Sequence, residues 1–148
     1  MDGSGPPDLS IGPIKLVTLG RLPAPTADPW WIDEIVCRAG VESSGVSLQL
    51  EGQIPSRNFQ FFLSDLQMVY DSLEGTATLD ADDLGLILSI KAMPLGHMSV
   101  SAVFWPFGIW DDPFRATLQL DQTDLRPILA ACRVILEMYP VKADRSLL

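Results

Sequence analysis

The chain has 148 residues, 47% of them hydrophobic and 20% charged, a balance that suits one globular domain with its own core and excludes a disordered chain. Its 19 acids against 10 bases give a formal net charge of −9. Binding a phosphate backbone needs clustered Lys and Arg to displace counterions, so direct nucleic-acid binding is not expected.

No apolar run approaches the roughly 18–20 residues that cross a bilayer, so no membrane partner is expected. The first ten residues lack the basic and apolar stretches of a secretory leader. Cys37 and Cys132 are far apart in apolar settings and read as reduced core thiols, which points to a cytoplasmic protein.

In chain order, residues 1–12 have little to bury and read as a disordered tail, ahead of a single domain over 13–141 and a short tail over 142–148. A short strand is expected over 14–19. A Pro-rich loop over 22–29 follows, whose prolines cannot donate to a sheet ladder. Residues 30–39 read as a strand in which Trp30 and Trp31 straddle both faces, and Gly40 begins a turn. Val46, Leu48 and Leu50 alternate with Ser47, Gln49 and Glu51, the pattern of a half-buried strand.

Ser56 and Asn58 compete to cap a helix that carries Phe59, Phe62, Leu63, Leu66, Val69, Tyr70 and Leu73 at offsets 0, 3, 4, 7, 10, 11 and 14. Gly75 stands where a left-handed cap is favoured. Residues 76–80 and 84–92 read as strands around a tight acidic turn, and 97–105 as a further strand after a Pro-Leu-Gly turn. The loop WPFGIWDDP, 105–113, leads to a last strand in which Phe114, Ala116, Leu118 and Leu120 alternate with polar residues. Asp121, Thr123 and Asp124 can then cap a second helix. Leu125, Ile128, Leu129, Cys132, Ile135, Leu136 and Tyr139 repeat the seven offsets of the first, and Pro140 ends it.

These elements predict an α+β fold: a mainly antiparallel sheet of six to seven strands with two amphipathic helices packed on one face. Most links between strands are too short to hold a crossover helix. The shared helix template reads as common packing geometry, because the flanking sequences do not match.

Catalytic groups are sparse. His97 is the sole histidine, so a His-based metal cluster is ruled out and a Ser-His-Asp triad would depend wholly on it. No GxSxG elbow, glycine-rich phosphate loop or CxxC pair is present. Cys132 falls on the inward stripe of its helix, where a thiolate is disfavoured. Asp80-x-Asp82 followed by Gly85 imitates a calcium loop, but Lys91 stands where the bidentate Glu is required. No catalytic residue, metal or cofactor is therefore expected.

Two surfaces remain. Asp65, Asp71, Glu74, Asp80, Asp82 and Asp83 fall between Asn58 and Ile90, a span with no Lys or Arg. They read either as a solvated helix back and turn or as a dock for a basic protein. Trp105, Phe107, Ile109 and Trp110 crowd a loop ending in Asp111 and Asp112. They read either as a lid on the core or as an interface anchor for a cation-bearing partner. Asp80, Asp82, Asp83, Trp105, Trp110, Asp111 and Asp112 are the expected partner-binding residues.

The order of segments over about 30–141 resembles the WapI-type family of bacterial immunity proteins and its relatives. The resemblance rests on Trp31 opening a strand with Gly40 at its end, and on the helix FFLSDLQMVYDSLEGTATL. It continues through Leu84-Gly85-Leu86, Gly96-His97 and the closing LQLDQTDLRPILAACRVILEMYPV. It implies a non-enzymatic cytoplasmic protein that binds and neutralises a cognate toxin domain, here a basic one occluded by an acidic, aromatic-tipped surface. A small-ligand-binding domain, using a pocket between sheet and helices or the open sheet face, is the alternative. Neither reading fixes the oligomeric state.

Overall fold

Among the described residues, eight strands and two α-helices form a four-strand, one-helix unit that occurs twice. In this computed structural model the described residues are 7–21, 33–43, 45–106 and 112–141. The first unit comprises β1 (Leu9–Ile11), β2 (Ile14–Arg21), β3 (Glu34–Ser43), β4 (Val46–Pro55) and α1 (Ser56–Ser72). The second comprises β5 (Thr76–Ala81), β6 (Leu86–Ala92), β7 (His97–Phe104), β8 (Phe114–Asp121) and α2 (Leu125–Met138). Each set of four strands is an antiparallel meander in sequence order, giving two separate sheets.

The fold is therefore α+β as expected, but the single sheet of six to seven strands is replaced by two sheets of four. Consecutive strands pair with each other only within a meander. The longest link, which contains α1, carries the chain out of the first sheet and lets a second begin. The expected tail also needs correction at its end. Leu9 and Ile11 are buried on β1, and Ser10 pairs Lys15 across the β1–β2 hairpin.

Gly40 does not begin a turn. It lies inside β3, paired with Lys15 on one side and Gln49 on the other, and the strand runs on to Ser43. Ile35, Cys37, Ala39 and Val41 are all buried, so the alternation that defines the strand continues past the glycine. The turn comes later, where Gly45 adopts φ 81°. Trp30 and Trp31, and the Pro-rich loop, lie outside the described residues.

Both helices bury the stripes read from sequence. Phe59, Phe62, Leu66 and Val69 are sealed on α1, and Leu125, Ile128, Leu129, Cys132 and Ile135 on α2. Leu63, Tyr70, Leu136 and Tyr139 are partly buried at the margins. Leu73 departs from the stripe. It takes the left-handed position, φ 58°, that closes α1, and its N–H donates to the Val69 carbonyl at 2.9 Å. Gly75, expected there, comes two residues later. Asp121 and Asp124 form the reciprocal capping pair ahead of α2, the Asp121 N–H donating to Asp124 Oδ2 at 2.8 Å.

The units are interlocked. α1 packs on β5 of the second sheet, α2 packs on β1 of the first, and the helices pack on each other. Arg126 Nε donates to the Tyr70 hydroxyl at 2.6 Å, and Gln122 Nε2 to the Tyr70 carbonyl at 2.6 Å. The meanders also touch directly, in matching places. The β1–β2 turn lies against β8, where a Cβ on Gly12 would come within 2.6 Å of Leu118 Cδ1. The β5–β6 turn lies against β4, where a Cβ on Gly52 would come within 2.7 Å of the Leu84 Cα. Buried residues of both sheets and both helices form one continuous core.

Arg21, at the end of β2, ties the ends of several elements together. Its Nη2 donates to the Pro140 carbonyl at 2.7 Å just beyond α2, its guanidinium lies over the Tyr139 ring, and its Nη1 is 3.6 Å from the buried Asp33 carboxylate.

The shared core makes each helix stripe indispensable. Leu66→Asp or Leu129→Asp would bury a charge without a partner, a change costing several kcal/mol. Each variant is expected to lose most of its resistance to urea. An unfolding midpoint equal to that of the parent protein would show that the stripe is not in the core.

Candidate functional site

One end of the molecule gathers most of the residues singled out in the sequence. Asp80 is the last residue but one of β5, and 82–85 make the turn into β6. The Leu84 and Gly85 N–H groups donate to the Ala81 carbonyl, both at 3.0 Å, and Gly85 takes φ 98°. Leu84 is buried and anchors the turn, leaving Asp80, Asp82 and Asp83 exposed. The Asp82 N–H donates to Asp80 Oδ1 at 3.2 Å, and Asn58 Nδ2 of α1 to the Asp80 carbonyl at 2.9 Å. Asn58 thus serves the turn rather than capping its own helix, where Pro55 occupies the cap position.

Trp105 arrives at the same end from β7. Its N–H donates to the Gly85 carbonyl at 2.8 Å, which sets the half-buried indole beside the acidic turn. Asp112 is exposed where the chain returns into β8, and Phe114 packs on Phe104 with ring centroids 6.2 Å apart. Trp110 and Asp111, with Phe107 and Ile109, lie outside the described residues. Asp80, Asp82, Asp83, Trp105 and Asp112 are therefore placed at one end of the second sheet.

Two further acids join them that sequence reasoning did not single out. Asp33 and Glu34 lead into β3, and Glu34 pairs with Pro55 at the β4–α1 junction. The Asp33 carbonyl accepts from the Ser56 N–H at 2.7 Å and from its Oγ at 3.2 Å, so the start of α1 is bound to the start of β3. The Glu34 carboxyl is held above the usual carboxylate range, first by burial and then by the negative charge of Asp83, with Arg57 opposing and Asp33 adding to the shift. Nothing local in the sequence marks the pair. Only the pairing of β3 with β4, and the seating of the β5–β6 turn on Gly52, brings Glu34 near Asp83.

The six acids between Asn58 and Ile90 do not form one surface. Glu74 lies beyond the C-terminal end of α1, beside Thr76 at the start of β5, and the length of β5 separates it from Asp82. A strand of that length spans about 17–20 Å, roughly two Debye lengths at physiological salt. Glu74 therefore acts on a partner independently of the turn.

The other candidates are engaged elsewhere. His97 opens β7 in the open, its Nδ1 3.3 Å from Asp121 Oδ1. Cys37 and Cys132 are fully buried, and both thiols are pushed up to about 12 by burial. The Asp8 charge adds to this at Cys37, while Arg133 opposes it at Cys132. Among the described residues no group of His, Cys, Asp and Glu is arranged to hold a metal ion, and no helix is long and apolar enough to cross a membrane. Two hollows among the described residues lie on the first sheet. One of about 300 Å³ opens on its outer face over Gly40, between Lys15, Arg38 and Gln49, and another of about 360 Å³ lies at the β3–β4 hairpin tip.

Compared with protein-family models, with curated proteins and with solved structures, the chain matches none of them.

Two pH dependences follow from these environments. Glu34 is protonated more readily folded than unfolded. Its contribution to stability is therefore complete below its unfolded pKa, near 4.5, and is lost as pH rises through the folded value. Glu34→Gln should raise the melting temperature at pH 7 and lose that advantage at pH 4. An equal or lower melting temperature at pH 7 would contradict the crowding of Glu34 with Asp83.

The thiols act in the same sense at high pH. Between 9, where an unfolded thiol ionises, and about 12, the folded chain holds more protons than the unfolded one. Stability should fall by up to about 1.4 kcal/mol per thiol for each pH unit in that window. Cys37→Ala with Cys132→Ala should flatten the slope measured by urea unfolding, and a slope equal to that of the parent would contradict the burial of the thiols.

Proposed function

We propose that this is a non-enzymatic binding protein of immunity type, acting in the cytoplasm and neutralising a basic protein toxin by covering its active surface. The observation that carries the reading is the convergence of Asp80, Asp82, Asp83, Asp112, Glu34 and Trp105 at one end of the fold. Like charges gathered there raise the local negative potential, which speeds encounter with a cation-bearing partner. A half-buried indole beside them can supply apolar area once water is excluded. The crowding of Glu34 supports the reading, since a cationic partner would relieve a repulsion the free protein carries.

The chemistry of the remaining groups supports a binding role over an enzymatic one. Both thiols are sealed and held protonated, so neither is a ready nucleophile. The imidazole faces a carboxylate on the surface, and among the described residues no serine, threonine or cysteine is hydrogen-bonded to it. A second reading, a small-ligand site on the open face of the first sheet, draws on the hollow over Gly40. That hollow is shallow and carries both signs of charge, with Lys15 and Arg38 against Glu42, so it favours no one ligand class.

The test uses the product of the reading frame beside this gene as the partner, with stopped-flow kinetics at several salt concentrations. Reversing Asp80, Asp82 and Asp83 to Lys should slow association by about tenfold or more at low salt and flatten its salt dependence. Trp105→Ala should instead speed dissociation. These acids are exposed, so the reversal leaves the core intact. Association indifferent to salt and to the reversal would refute the proposal.

A further inference from the structure

We propose that the free edge of β4 receives an extended, cationic segment of the partner as an added strand of the first sheet. This rests on the acidic-surface reading and says how the partner is held once attracted. β4 is the terminal strand of its sheet. It pairs with β3 in unbroken register from Val46 to Pro55. Among the described residues, no hydrogen bond other than those to β3 reaches the backbone of 46–54. An edge of this kind presents a row of unpaired N–H and C=O groups, which is the template for strand addition.

The β5–β6 turn lies against this strand at Leu50 and Gly52, so the stretch open to an added strand is 46–49. Over 46–49 there is no Lys, no Pro and no bulge. The other three edges are managed. β1 is three residues long and lies under α2, and β5 lies under α1. β8 carries Arg115, which repels a cationic strand, and the β1–β2 turn abuts its Leu118.

The side chains of β4 specify what would fit. Val46 is 44% exposed, and Leu48 and Leu50 are half-buried on the same face, so apolar groups of an incoming strand would extend that row. Ser47, Gln49 and Glu51 alternate on the other face, with Glu51 held by Arg38 at 3.1 Å. The hollows over Gly40 and at the hairpin tip both border Ser47, leaving room beside the edge.

The acids at the far end of β4 and the net charge of −9 favour a cationic occupant, with Lys15 and Arg38 opposing it beside 47–49. Down its length β4 runs into the acidic end, where Gly52 lies against the Asp83 carbonyl and Leu50 against the turn at Gly85. A strand alternating Lys or Arg with apolar residues satisfies the apolar row and the acidic end. A second copy of this chain, with its net charge of −9, is disfavoured by repulsion.

The probe is a short peptide alternating Lys with Val and Thr, tested with two controls: the same peptide N-methylated at alternate residues, and a version with Glu for Lys. Hydrogen exchange followed by NMR should show slower exchange at amides within 46–49 on binding. N-methylation and the Glu version should each weaken binding at least tenfold, as should the exposed double variant Ser47→Lys with Gln49→Lys. Equal affinity for the N-methylated peptide, protection confined elsewhere, or no binding would overturn edge pairing. Salt-dependent binding that ignores N-methylation would do so while leaving the acidic-surface reading intact. A dimer of the protein alone, protected at 46–49, would overturn it in favour of self-association.

Discussion

Everything in this structure depends on an exchange of helices between two halves. α1 grows out of the first meander and buries its stripe against the first strand of the second. α2 grows out of the second and lies against the first strand of the first. Four strands with one half-covered face are a poor domain, because a sheet must bury that face against another layer. Exchanging the helices lets both sheets do so at once around a single core. The turn contacts repeat the logic: Gly12 against β8 and Gly52 against the β5–β6 turn are the same meeting with the halves exchanged. At Gly52 backbone occupies the space a Cβ would take, while at Gly12 it is the tip of the Leu118 side chain and the positive φ of 56° that favour glycine.

The acidic end is a product of this interlock. Asp80 to Gly85 belong to the second half, and Asp33, Glu34 and the start of α1 to the first. They meet because Asn58 holds the Asp80 carbonyl, Ser56 holds the Asp33 carbonyl, and Leu84 is buried across Gly52. The repulsion felt by Glu34 is tolerated because the elements carrying it are fixed by the core, not by the charges. A site assembled in this way is preformed, which limits the ordering cost of binding.

How far the sequence discloses this differs by level. The period-two runs at 46–50 and 114–120 and the two helix stripes are local, and they survive in the structure nearly residue for residue. The cap at Asp121 and Asp124 is local too. The partition into two sheets is not, since antiparallel strands joined by hairpins look alike whether they form one sheet or two, and only the placement of α1 decides. β1 escaped notice because three residues in a Gly- and Pro-rich stretch carry little periodicity. Gly40 misled because a glycine at the end of an apolar run reads as punctuation, whereas here its missing side chain opens a hollow within the strand. At the candidate site, Asp80, Asp82, Asp83 and Trp105 were legible as composition. Glu34 was not, because its neighbour Asp83 is remote in the chain. Chain distance likewise does not show that the length of β5 lies between Glu74 and Asp82.

The claim that the two halves share one core is most directly tested by native-state hydrogen exchange. If the helices are exchanged as described, the slowest amides of β3 in the first half and of β6 in the second should open with the same free energy. That value should equal the global unfolding free energy from urea. If one half opens on its own, with its slowest amides lower than those of the other by more than about 1–2 kcal/mol, the halves are separate foldons, and the interlocked core is contradicted.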